Sequence, residues 1–203
     1  MPLISELVQE LKRRSAEVGQ VDIVSKTGAT VCTISSGVGS PEGVVSGLMG
    51  SVYLNQSGGV PTTIYVKTSA GAAAVAATGT LTGTTIAVND TVTIGSTVYT
   101  FKSPVTTAYH VLVGATDSDS LDNLIAAITA GAGAGTAYGT GTLVHPTVTA
   151  AAGAGDTMDA TALTAGTAGN SIATTATLTA GGWGAATLTG GVAANLSTGW
   201  TAK

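Results

Sequence analysis

The stretch from Thr91 to Phe101, Thr-Val-Thr-Ile-Gly-Ser-Thr-Val-Tyr-Thr-Phe, limits the fold more than any other part of the chain. Two runs alternate apolar and hydroxyl side chains, and Gly95-Ser96 divides them. Alternation at a period of two marks a half-buried strand, and a two-residue connection with glycine first suits a type II′ hairpin turn. Closing that turn puts Val92, Ile94, Tyr99 and Phe101 on one face, while threonines take much of the other. One face is core and needs cover.

Cover is available a few residues later. Leu121, Leu124, Ile125 and Ile128 mark one stripe of a helix that starts in Thr116-Asp-Ser-Asp-Ser. Asp117 or Ser118 is expected to cap its free N–H groups, Asp119 and Asp122 complement its positive end, and Gly131 stops it. Further strands are expected at Tyr109 to Val113 and near 146–151, 157–163 and 171–178, with turns at Ala152-Gly-Ala-Gly155 and Ala165-Gly-Thr-Ala-Gly-Asn170. Together they predict a compact α+β unit, one helix against a mostly antiparallel sheet.

Composition and charge set that unit apart. Ala70-Gly-Ala-Ala-Ala-Val-Ala-Ala77 reads as a small-residue linker. Between residues 70 and 195 the only base is Lys102, against Asp90, Asp117, Asp119, Asp122, Asp156 and Asp159, whereas residues 1–69 carry five charges of each sign. An acidic inner lobe is a poor nucleic-acid ligand.

The flanks have their own pattern. Ile4, Leu7, Val8 and Leu11 fall at i, i+3, i+4 and i+7, which predicts a helix over residues 3–18. Little apolar surface near it in sequence needs covering, so we read it as a docking or self-association element. Lys12, Arg13 and Arg14 sit among three acids and make no net basic patch. Residues 20–35 read as a hairpin turning at Lys26-Thr-Gly28, and residues 35–50 as a looser, glycine-punctuated stretch. Ser51 to Asn55 and Thr62 to Lys67 form a second hairpin, with Tyr53 and Tyr65 as a cross-strand aromatic pair.

The expected fold is mainly β with an N-terminal helix: a small β-meander module interrupted by an inserted α+β domain. Residues 1–20 are the docking or oligomerisation helix, 21–69 plus 196–203 the β-rich module, and 70–195 the insertion. Tyr53, Tyr65 and Trp200 are the expected module core.

Charged residues make up 9% of the chain, where about 25% is usual. Such a surface is covered by hydroxyls and backbone, as in particles that bury much of their subunit surface. Hydrophobic residues are 44% and the net charge is −4, which argues for order despite the glycines. Cys32 is the only cysteine, so there is no intramolecular disulfide framework. No signal peptide is evident, and no apolar run approaches the ~20 residues that span a bilayer.

No pattern fixes a catalytic or metal site. His110 and His145 are far apart in sequence and lack the short spacing of metal ligands. No Gly-x-Ser-x-Gly elbow constrains a catalytic serine. Asp117-Ser-Asp-Ser-Leu-Asp122 fails as a calcium loop, because Leu121 and Asp122 stand where an acid or amide and then a glycine are required. Gly131-Ala-Gly-Ala-Gly135 follows a helix instead of opening one, so it is a loop and not a phosphate cradle. Trp183 could stack a sugar, although a tryptophan in an aromatic-poor lobe more often anchors its core.

Several motifs carry a family likeness. Ser40-Pro-Glu-Gly-Val-Val45, Gly50-Ser-Val-Tyr-Leu54, Gly58-Gly59, Thr62-Thr-Ile-Tyr-Val-Lys67 and Thr198-Gly-Trp-Thr-Ala-Lys203 resemble a module of tailed-bacteriophage virion proteins, including tail fibres, tailspikes and head-decorating fibres. In those proteins the Tyr-Val-Lys strand usually reaches the Gly-Trp-x-Ala-Lys strand after a few residues; here residues 70–195 intervene. That segment separately resembles a phage structural domain, through Thr91 to Phe101, Val111-Leu-Val-Gly-Ala-Thr116, Leu121-Asp-Asn-Leu-Ile-Ala-Ala-Ile128, Thr136-Ala-Tyr-Gly-Thr-Gly-Thr142, Thr167-Ala-Gly-Asn-Ser-Ile-Ala-Thr-Thr175 and Trp183-Gly-Ala-Ala-Thr-Leu-Thr-Gly-Gly191.

The resemblance implies a non-enzymatic virion protein without a cofactor. Its expected role is capsid-surface decoration, with a short tail-fibre or tail-adaptor subunit as the alternative and host-glycan binding as a further one. Implied partners are itself, as a homotrimer, and capsid or tail proteins, with a host surface glycan under the last reading; neither nucleic acid nor membrane is expected.

Overall fold

The computed structural model describes residues 20–203, so the expected helix with Ile4, Leu7, Val8 and Leu11 lies outside the described residues. The chain is mostly β and divides into two compact units. Unit 1 takes in the chain up to Ala73 and returns at Ala194–Lys203; unit 2 is Ala74–Ala193.

Unit 1 is one five-stranded sheet in the order β1 (Gln20–Val24), β2 (Thr30–Gly37), β3 (Val52–Asn55), β4 (Ile64–Lys67) and β13 (Trp200–Ala202). β1 and β2 form an antiparallel hairpin that turns where Ser25 N–H meets the Ala29 carbonyl at 2.7 Å. The β3, β4 and β13 run is the expected antiparallel meander, with Tyr53 opposite Tyr65 and Lys67 opposite Trp200. β2 and β3, whose pairing the sequence leaves open, run parallel. A parallel neighbour cannot be reached through a tight turn, and residues 38–51 supply the long crossover.

The register assigns the two faces. Thr33, Ser35, Tyr53, Tyr65, Lys67 and Trp200 share one face, while Val21, Ile23, Cys32, Ile34, Val52, Leu54, Ile64 and Val66 share the other. The crossover covers the first face: the Trp200 indole N–H donates to the Val45 carbonyl at 2.8 Å. Gly47 packs so close to that indole that a Cβ would stand 2.9 Å from its Cζ2.

Unit 2 contains two four-stranded sheets where the sequence led us to expect one. The first has the order β12 (Ala180–Trp183), β5 (Thr78–Thr84), β10 (Thr157–Ala162) and β9 (Val148–Ala152). The second has β11 (Thr174–Ala176), β6 (Thr91–Ile94), β7 (Thr97–Lys102) and β8 (His110–Leu112). The β6/β7 hairpin is as expected: Ile94 pairs with Thr97, Gly95 has φ +58°, and Val92, Ile94, Tyr99 and Phe101 are fully buried. Only β7 and β8 pair in parallel in this unit.

Helix α1 (Asp117–Thr129) completes the core with Leu121, Leu124, Ala127 and Ile128 buried. Its cap is Thr116, not Asp117 or Ser118: Thr116 Oγ1 accepts the Asp119 N–H at 3.0 Å, and the Asp119 carboxylate accepts the Thr116 N–H at 3.1 Å. It ends one residue before Gly131, at Ala130 with φ +48°, and the Gly131 N–H still donates to the Ala126 carbonyl at 2.9 Å. Leu81, Met158 and Leu188 join the helix and both sheets in one hydrophobic cluster.

Candidate functional site

Unit 1 brings together the residues the sequence singled out as its core. Tyr53 and Trp200 are buried, Tyr65 is half-buried, and the three rings stack edge to face in a row. Ring centroids lie 6.4 Å apart for Tyr53 and Tyr65, and 6.2 Å apart for Tyr53 and Trp200. The Lys67 ammonium sits 5.8 Å from the centre of the Trp200 ring. Lys67 is 1% exposed, and its Nζ has no hydrogen-bond partner among the described residues.

Sequence reasoning missed Glu42. Its carboxylate accepts the Gly199 N–H at 2.9 Å and the Trp200 N–H at 2.8 Å. Those two bonds hold the carboxyl below the usual glutamate range, with a smaller contribution from the Lys67 charge. Two more bonds from the crossover reach the C-terminal segment, Gly43 N–H to Ser197 O and Gly47 N–H to Leu196 O. The Ser40–Val45 motif and the Gly-Trp motif are therefore two halves of one construction.

Among the described residues nothing buries the opposite face of this sheet. Ile23, Ile34, Leu54 and Ile64 are 41–42% exposed, and Val21, Cys32, Val52 and Val66 between them are half-buried. These eight side chains run across four adjacent strands with no charged residue among them.

Against the family models, the curated proteins and the solved structures, nothing matches the chain.

In unit 2 both histidines and Asp117 have structural partners. Buried His145 accepts the Thr147 and Val148 N–H groups at Nδ1, at 3.3 and 3.2 Å, which leaves Nε2 to donate to the Ile94 carbonyl at 3.1 Å. His110 bonds the hydroxyls of Thr106 and Thr107 at 3.2 and 3.0 Å. Asp117 accepts the Ile86 and Thr85 N–H groups at 2.8 and 2.9 Å, which lowers its pKa. Burial pushes the Tyr99 hydroxyl well above the usual phenol range. A groove of about 340 Å³ beside His145, floored by Pro146, Ile172 and Ala173, presents no ionisable group besides that satisfied imidazole.

Trp183 lies half-buried against the unit 2 core, with its ring edge 3.6 Å from where a Gly79 Cβ would be. Among the described residues no three His, Cys, Asp or Glu side chains converge on one point, and no helix is long and apolar enough to cross a membrane.

Proposed function

We propose that this chain is a non-enzymatic structural component of a bacteriophage virion, a capsid-surface decoration or head-fibre protein that self-associates and attaches to the particle. The observation that carries the reading is the open apolar face of unit 1, on the same sheet as the aromatic row and the Glu42 staple. A soluble monomer rarely leaves an aliphatic surface of four strands in water. Covering it releases about 25 cal/mol for each Å² of apolar area removed from solvent. Unit 1 also holds the motifs that resemble the virion module, so the likeness and the unpartnered surface fall on one body. The scarcity of charge across the chain supports the same reading, since subunits of a particle bury much of their surface.

Light scattering on the purified chain, together with immunogold imaging of particles that carry it, tests the proposal. An oligomer in solution and label on the capsid are expected. A monodisperse monomer absent from particles overturns the reading, and label confined to the tail replaces head decoration with a tail-fibre or adaptor role.

A further inference from the structure

The cover on the aromatic side of unit 1 closes over a charge that it does not satisfy. Register puts Thr33, Ser35 and Lys67 on that face, and Thr33 Oγ1, Ser35 Oγ and Lys67 Nζ are all buried with no hydrogen-bond partner among the described residues. Lys67 lies between Ser51, whose carbonyl accepts the Lys67 N–H at 2.9 Å, and Trp200, its partner on β13. Gly47 of the crossover touches both neighbours, since its Cβ would stand 3.3 Å from Ser51 Cβ and 2.9 Å from Trp200 Cζ2. The crossover therefore passes over the lysine. Its one acid is Glu42, and each oxygen of that carboxylate is already taken by a backbone N–H. An unpaired ammonium that is 1% exposed is held away from the water it strongly prefers.

The crossover is also built to move. Gly39 and Gly50 stand at its two ends with φ +85° and +84°, and a Cβ on either would meet nothing within 4 Å, so both ends can turn without pushing on a neighbour. Between them it is tied to residues 196–200 by the Gly43 and Gly47 N–H groups, the Val45 carbonyl and the Glu42 carboxylate. Its aliphatic side chains Val44, Leu48 and Met49 are exposed, so leaving the sheet uncovers little apolar area of its own.

We propose that residues 39–50 form a hinged strap, which lifts from the sheet while β2, β3 and β4 stay paired and lets the Lys67 ammonium reach water. The lysine stem is long enough to carry its charge to the surface once the strap is gone. Lifting sets one cation and two rings, Tyr53 and Trp200, on a single accessible face. The strap thus decides whether that face can be touched, whatever the chain attaches to.

Native-state hydrogen exchange on the full chain tests the proposal. The Gly43 and Gly47 amides and the Trp200 indole N–H have their partners only while the strap is down. They should exchange at least about tenfold faster than the amides of the β3/β4 pair, the mark of an opening smaller than global unfolding. Lys67→Met should slow them about fivefold or more, because the closed state then holds no charge. In the wild-type chain, acetylation by an N-hydroxysuccinimide ester, read by mass spectrometry, should reach Lys67 more slowly than exposed Lys26 but faster than the β3/β4 pair opens.

Exchange of the three reporters in step with the β3/β4 amides overturns the proposal, because the strap then leaves only when the whole sheet unfolds. A folded Lys67→Met chain with reporter rates unchanged also overturns it, since the charge then has no part in the opening. Acetylation of Lys67 no faster than the β3/β4 pair opens has the same force, and it decides the matter with the wild-type exchange if Lys67→Met does not fold.

Discussion

The Glu42 carboxylate accepts the Trp200 backbone N–H at 2.8 Å across 158 residues of sequence. With the Gly199 N–H at 2.9 Å, the contact fixes the last strand against the crossover between β2 and β3. Removing the charge while keeping the shape, as in Glu42→Gln, should loosen β13 before the rest of the sheet. Faster amide exchange at Gly199, Trp200 and Thr201, with protection of β6 and β7 unchanged, is the expected result.

Acid should lower the stability of both units through these carboxylates. Glu42 and Asp117 are each held below their ordinary values by backbone N–H groups, so each binds protons more weakly folded than unfolded. The stabilisation is therefore complete above the unfolded values near pH 4 and disappears as pH falls through the lower, folded ones. Melting temperatures followed from pH 6 to pH 2.5 should drop across that window. Glu42→Gln should flatten the drop for unit 1, and Asp117→Asn should flatten it for unit 2.

Lys67→Met should stabilise unit 1. The methionine follows the path of the lysine stem, and it removes an ammonium that is buried without a hydrogen-bond partner among the described residues. The ring contact with Trp200 is lost, at about 0.5–2 kcal/mol, together with a smaller attraction to the Glu42 carboxylate, but an unsatisfied buried charge costs more than the ~1–3 kcal/mol of an unpaired neutral group. A net gain on the order of 1 kcal/mol in urea denaturation is expected, and a loss would mean that Lys67 has an acceptor in the assembled protein.

Trp200→Ala should cost about 3–5 kcal/mol of unit 1 stability, the usual result of truncating a buried tryptophan. Trp200→Phe should cost much less, because it keeps most of the packing against Tyr53 and gives up the 2.8 Å bond to Val45. Two-dimensional NMR should show the damage confined to the resonances of unit 1.

Cutting out residues 74–193 and bridging Ala73 to Ala194 with a short glycine linker should leave unit 1 folded. Ala72 and Asn195 are already paired, N–H to carbonyl in both directions, at 3.0 and 2.8 Å. A dispersed NMR spectrum with the ring-shifted signals of the aromatic row is the expected outcome; a collapsed one would count against unit 1 as a self-sufficient body.

Local signals were legible where pattern and packing agree. The β6/β7 alternation and the Leu121–Ile128 stripe each had one folding solution, and both are found. β5 was hidden because Gly79 and Gly83 interrupt the strand pattern of Thr78–Thr84, just after the small-residue linker expected at 70–77. Its glycines are set by partners distant in sequence: a Cβ on Gly79 would stand 2.6 Å from Leu188, and one on Gly83 2.7 Å from Ile86. The parallel pairing of β2 and β3 left no local trace either, since register between strands joined by a long crossover is decided by tertiary contacts. At the candidate site the aromatic row was legible from Tyr53, Tyr65 and Trp200. Glu42 was not, because an acid in a glycine-rich stretch gives no sign of backbone amides 157 residues away. The bare face escaped notice because Ile34, Leu54 and Ile64 look like core until register shows which side the crossover takes.

The Ala72–Asn195 pair has a consequence for how such a chain can change. A fold whose backbone departs and re-enters at adjoining positions imposes one condition on whatever is spliced between them: that its two ends meet. Unit 1 is thus a socket, and different folded bodies could be exchanged at that point while the aromatic row, the staple and the open face stay as they are.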